Sequence, residues 1–160
     1  MRSSILFIVL LFFCNYSVFA SDKNLCVGEN ATFSCLKEKF TELYSKDYAQ
    51  FWNILHNAAK KFQSHDKLSH VATFMELAPT IQGNAEVSEF FGEICEKFFV
   101  VNTEICLDAL ITLDKKSKHS FIDRLRQPIY LSKTEIYKAF LKYKDVEKYK
   151  EIIEHYFNTK

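Results

Sequence analysis

The chain has 160 residues, with three glycines, two prolines and sixteen phenylalanines. So few backbone breakers beside so many long apolar side chains favour helices and argue against a many-turned β protein. The formal net charge is only +1, which argues against a nucleic-acid binder.

Arg2 precedes an apolar run over 5–13, and Val18-Phe19-Ala20 places small residues where a signal peptidase reads. This is the layout of a secretory signal peptide cut after Ala20, so residues 1–20 are assigned to it. The run is too short to span a bilayer unaided, and Asn15 interrupts it. Phe13 before Cys14 does not suit a lipoprotein signal. The mature chain is expected to be a single domain over 21–160, long enough for a packed core and without a stable membrane span. It keeps Cys26, Cys35, Cys95 and Cys106. An even number in an exported chain reads as two disulfides, and no Cys-x-x-Cys points to zinc or a redox pair.

Residues 21–30 read as extended, with a turn at Gly28. Asn30-Ala31-Thr32 is a glycosylation sequon in a eukaryotic source. The spacing of Phe33, Leu36, Phe40, Leu43 and Tyr44 predicts a helix over 32–46. Asp47 can cap the next, where Tyr48, Phe51, Trp52, Leu55, Ala59 and Phe62 form an aromatic-rich stripe that core packing explains. A third helix is expected from Ser64-His65-Asp66 to Pro79, with Leu68, Val71, Met75 and Ala78 inward.

The most readable unit covers 84–125. Asn84 caps a helix bearing Ala85, Phe91, Ile94, Cys95 and Phe98, and Val100-Val101-Asn102 breaks it. Thr103 offers a second cap before Ile105, Cys106, Ala109, Leu110 and Leu113. A shorter helix carries Phe121, Ile122 and Leu125, and Gln127-Pro128 closes the unit. Ser132 and Glu135 form a capping box ahead of Ile136, Ala139, Phe140 and Tyr143. A last helix holds Val146, Tyr149, Ile152, Ile153, Tyr156 and Phe157.

The expected fold is therefore all-α. One domain of about seven or eight short amphipathic helices packs as antiparallel pairs, HEAT-like or as an irregular bundle, stabilised by disulfides. Its expected core is Leu36, Phe40, Phe51, Trp52, Leu55, Phe91, Ile94, Phe98, Leu110, Leu113, Phe121 and Ile122. Two helices meeting near Asn102 would bring Cys95 and Cys106 within reach of one another, which leaves Cys26 for Cys35. The two other connectivities, which tie the N-terminal segment to the central helices, stay open.

Charge is uneven along the chain. Residues 84–114 hold seven acids against Lys97 alone, and residues 115–160 hold twelve Lys and Arg against six acids. Interleaving of the lysines with acids reads as ordinary solvated helix faces, and a basic face for an anionic partner is the sharper alternative. Glu86, Glu89, Glu93 and Glu96 fall on one helical face and form a solvated acidic stripe, the candidate interaction face. Stacked carboxylates can also bind a hard cation or act as acid and base, but the di-iron signature Glu-x-x-His is missing, and the solvated stripe is the better reading. His56, His65, His70, His119 and His155 make no compact ligand pattern, although Glu151 and His155 are spaced to touch. No nucleophile elbow or phosphate loop occurs.

Residues 84–91 (Asn-Ala-Glu-Val-Ser-Glu-Phe-Phe), with Cys106-Leu107-Asp108-Ala109-Leu110 and Arg126-Gln127-Pro128, resemble small exported bacterial proteins of HEAT-like helical form, most without an assigned function. In size, helix content and disulfides the chain is more distantly similar to the periplasmic immunity proteins of type VI secretion amidases. That resemblance implies an architecture and no residue-level binding motif. The closely spaced central cysteines of insect odorant-binding proteins are absent.

These observations together point to an exported, non-catalytic protein-binding module in the periplasm or outside the cell, most concretely an inhibitor or immunity-type protein. Its expected partner is another exported protein, with no nucleic acid and no cofactor or metal. The alternatives are a carrier of a small apolar ligand in an aromatic-lined cavity, and an enzyme without a recognisable motif.

Overall fold

Short-range side-chain hydrogen bonds mark where four of the helices begin. The computed structural model describes Cys26 and residues 31–158, and these form nine α-helices and one 3-10 turn with no strand among them. The helices are α1 (Ala31–Glu38), α2 (Phe40–Lys46), α3 (Tyr48–Ser64), α4 (Leu68–Met75), α5 (Ala85–Val101), α6 (Thr103–Thr112), α7 (Lys115–Arg126), α8 (Lys133–Leu141) and α9 (Lys150–Asn158), the last entered through the 3-10 turn Glu147–Tyr149. The signal-peptide assignment to 1–20, the turn at Gly28 and the sequon asparagine Asn30 lie outside the described residues. Among the described residues no helix is long and apolar enough to cross a membrane.

The side-chain caps at Asp47 and Asn84 form as the sequence implies. Asp47 accepts the Gln50 backbone N–H at 3.0 Å, and Asn84 accepts that of Val87 at 3.0 Å. The capping box before α8 is complete: Glu135 N–H donates to Ser132 Oγ at 3.2 Å and Ser132 N–H to Glu135 Oε2 at 2.9 Å. Asp114 adds a cap for α7, accepting the Lys116 and Ser117 N–H groups at 2.9 and 3.0 Å.

Three boundaries differ from expectation. The helix expected over 32–46 is two helices parted at Lys39, whose φ of −111° and ψ of 26° leave the helical well. His65 adopts a left-handed conformation, φ 42°, so α3 stops there and α4 begins only at Leu68. Thr103 is not the cap of α6. Its hydroxyl donates back to the Phe99 carbonyl at 2.8 Å and so finishes α5, because a single residue, Asn102, parts the two helices and Thr103 is already helical.

That one-residue link also decides the packing. An αα-hairpin has a loop of about 2–5 residues, longer than this link. Helix α6 lies chiefly against α4, α5 against α8, and α7 against α9, while α1, α2 and α4 pack on α3. The result is a single domain with the packing of an irregular bundle. Trp52 and Ile94 excepted, every residue of the expected core is buried. Trp52 sits at the core's edge, in contact with Tyr48, His56 and Phe90 at ring-centroid distances of 6.1, 5.5 and 5.3 Å.

Cys26 and Cys35 are bonded, with Cα atoms 5.7 Å apart, and the bond fastens residue 26 to α1. Cys95 and Cys106 are not bonded to one another as expected; both are free buried thiols. Helices α5 and α6 are joined by Asn102 alone and each packs chiefly on another helix, α5 on α8 and α6 on α4. Burial pushes both thiols up, and the neighbouring Cys106 raises Cys95 further. Since the thiolate is the reactive form, both should be inert in the folded protein. With the chain 21–160, a thiol reagent at mild alkaline pH should modify neither cysteine before denaturation and both after it. Intact mass measures this, and retention of a second disulfide would reverse the assignment.

Candidate functional site

The four glutamates of α5 do not share one environment. Glu86, in the first turn, is exposed and accepts the hydroxyls of Tyr44 and Tyr48, each at 2.5 Å. Glu89 is exposed, and Glu93 pairs with Lys97 at 2.8 Å. Glu96 departs from the expected solvated face and is 0% exposed. The reason is that α8 crosses α5, so the segment leading into α8 passes over the far end of the stripe.

The carboxylate of Glu96 is fully engaged there. Its Oε1 accepts the Ile129 N–H at 2.9 Å, and its Oε2 accepts those of Tyr130 at 2.8 Å and Leu131 at 2.9 Å. Three successive backbone donors converging on one anion form a concave amide nest around a carboxylate supplied from within the chain. Pro128 has no N–H, so the run of donors starts at Ile129. The next amide, Ser132, goes to Glu135, so every donor from 129 to 132 ends on a carboxylate. Charge-assisted bonds of this kind are roughly twice as strong as neutral ones.

Arg124 of α7 closes the other side. Its guanidinium carbon lies 5.5 Å from the centre of the Phe91 ring, and its Nη2 donates to the Ser88 carbonyl. It crosses α5 at Gly92, where a Cβ would stand 3.3 Å from Arg124 Nη2 and 3.4 Å from Glu96 Oε1. Glycine at this point of the helix therefore makes room for both charged groups. Burial lowers the Arg124 pKa, while Cys95 and Glu96 act in the opposite direction.

With its amides turned inward, the loop turns two large apolar side chains outward. Ile129 is 60% exposed and Tyr130 is 41% exposed, while Leu131 packs against the core. Lys97 Nζ stands 5.9 Å from the Tyr130 ring centre. The loop runs directly into α8, beside which Arg126, Lys133, Tyr137 and Phe157 line an open cleft of about 400 Å3. An exposed aliphatic and an exposed aromatic side chain thus follow one another in the chain.

Glu86 serves a different purpose, fastening the α2–α3 corner to the start of α5. The two tyrosine hydroxyls hold its carboxyl below the ordinary glutamate value. A group depressed in the folded state contributes stability that is present above its unfolded value and lost as pH falls through the folded one. Stability should therefore decline from about pH 4.3 downward, and Glu86→Gln should flatten part of that decline. Urea midpoints at a series of acid pH values test this, and equal slopes for both proteins would contradict it.

His119, His155, Glu151 and Asp108 have structural partners. His119 and His155 stack with ring centres 3.9 Å apart, and His155 Nε2 lies 3.2 Å from Asp123. Glu151 accepts from Lys118 at 3.4 Å. Asp108 accepts from Lys148 at 2.9 Å and from Tyr149 at 2.7 Å. Among the described residues, no group of three or more His, Cys, Asp or Glu gathers as a metal site would require. Comparison of the chain with protein-family models, with curated proteins and with solved structures found no match.

Proposed function

We propose that the protein is an exported, non-catalytic binding module of the inhibitor or immunity kind, which engages another exported protein through the 129–130 loop. The observation that carries this reading is the anchoring of that loop. A connection between two helices can satisfy its amides with water, yet here three of them go to a fully buried carboxylate while Ile129 and Tyr130 face solvent. Fixing a loop before contact removes ordering entropy that association would otherwise oppose. An exposed tyrosine on rigid backbone is the type of residue that dominates interface energetics.

Export is supported by the signal-peptide pattern of residues 1–20 and by the Cys26–Cys35 disulfide, which suits an oxidising compartment. The reading as a binder, in preference to an enzyme, is supported by the state of the glutamates. Both oxygens of Glu96 are occupied by amides, Glu86 is committed to two tyrosines and Glu93 to a lysine. A stable protein contact needs about 800 Å2 on each side, more than two residues supply. The cleft beside α8 extends the surface, and Arg126 and Lys133 in its lining favour a partner with an acidic rim.

Capture from the source organism's own exported fraction, with the mature chain as bait, tests the proposal. The wild-type chain should retain one partner in a stoichiometric complex. The double variant Ile129→Ala, Tyr130→Ala should melt at the same temperature and lose it. Equal retention of the same partner by both proteins would place the contact elsewhere.

A further inference from the structure

We propose that the cleft between α1, α3 and α4 is a binding site for a small carboxylate with an apolar body, such as a medium-chain or aromatic acid. The site is separate from the 129–130 loop. It has a volume of about 330 Å3, at the lower end of the range that encloses small organic ligands. Ile54, Ala58 and Phe74 form an apolar floor, with Phe33 of α1 along one side.

The polar lining residues are Ser34, Asn57, Lys61, His70, Thr73 and Glu76, and the charges among them are unequal. Lys61 lies there without an ion-pair partner among the described residues. Glu76 is the one acid among the lining residues, and Lys37 neutralises it at 2.9 Å. His70 Nδ1 is buried and makes no hydrogen bond; Asp66 Oδ1 stands 3.5 Å away, within ion-pair range but without hydrogen-bonding geometry. The site thus offers an uncommitted ammonium, an imidazole and an apolar floor. A carboxylate head against Lys61 with a hydrocarbon body over Ala58 and Phe74 matches that layout, whereas an amine of the same shape would meet Lys61 unfavourably.

Calorimetric titration of the mature chain with octanoate, 1-octanol and octylamine tests this. Octanoate should bind one site with a Kd at or below about 1 mM, and the alcohol and amine at least tenfold more weakly. Lys61→Gln should weaken octanoate about tenfold and leave octanol unchanged. Ala58→Trp, which fills the floor, should abolish octanoate binding. Thermal melts report whether each variant folds, and Lys61→Gln decides the matter if the larger substitution does not. No octanoate binding by about 10 mM, equal binding of octylamine, or octanoate affinity unaffected by Lys61→Gln would each overturn the proposal.

Discussion

Replacing Glu96 with alanine is expected to lower stability by about 3 to 5 kcal/mol, the range for removing one side of a buried charged network. Three amides lose their acceptor in this variant. A buried donor left unsatisfied costs about 1 to 3 kcal/mol, and fraying of the loop into water would relieve part of that sum. Glu96→Gln keeps one acceptor oxygen but turns an NH2 group toward backbone donors, so a loss of about 2 to 3 kcal/mol is expected. For a domain whose total stability is about 5 to 15 kcal/mol, either change is large. Urea denaturation measures both. A loss under about 1 kcal/mol for Glu96→Ala would mean that the carboxylate contributes little to the folded state.

Phe91→Ala should be as damaging, by about 3 to 5 kcal/mol. Phe91 is fully buried, stacks on Phe74 at 5.0 Å, meets Phe121 edge-on at 6.1 Å and supports the Arg124 guanidinium. Its removal leaves a cavity where α4, α5 and α7 meet and takes away the face on which Arg124 rests. Trp52→Ala removes a larger side chain from a half-buried position, so a smaller loss of about 1 to 3 kcal/mol is expected. Denaturant unfolding of the two variants side by side checks the order, and a greater loss at Trp52 would show the aromatic edge to be the true centre of the core.

Three of the four side-chain caps that form were legible in the sequence, while Asp114 was missed and Thr103, read as a cap, bonds back to Phe99 instead. Asp47, Asn84 and the Ser132–Glu135 pair cap helices because their partners lie three residues away. Hydrophobic spacing likewise located the core, with Trp52 and Ile94 at its margin. Glu96 was misjudged for the opposite reason. Its partners are 33, 34 and 35 residues further along, and helical periodicity alone places it beside Glu89 and Glu93. A local signal did exist in Gly92, one turn before Glu96, and in Pro128 ahead of three free donors, but only the crossing of α5 by α8 joins them. The Cys95–Cys106 expectation failed on a single residue of linker length, since Asn102 alone cannot reverse the chain. The break at Lys39 carries no glycine or proline and had no compositional mark.

The claim on which the functional reading depends is that Glu96 holds the 129–131 backbone in one conformation. Residue-resolved amide hydrogen exchange, comparing the wild-type chain with Glu96→Gln at one pH and temperature, measures this directly. The Ile129, Tyr130 and Leu131 amides should exchange slowly in the wild type and much faster in the variant, with amides in the middle of α3 unaffected. Fast exchange of those three amides in the wild-type protein, at the rate of an open surface loop, would contradict the account.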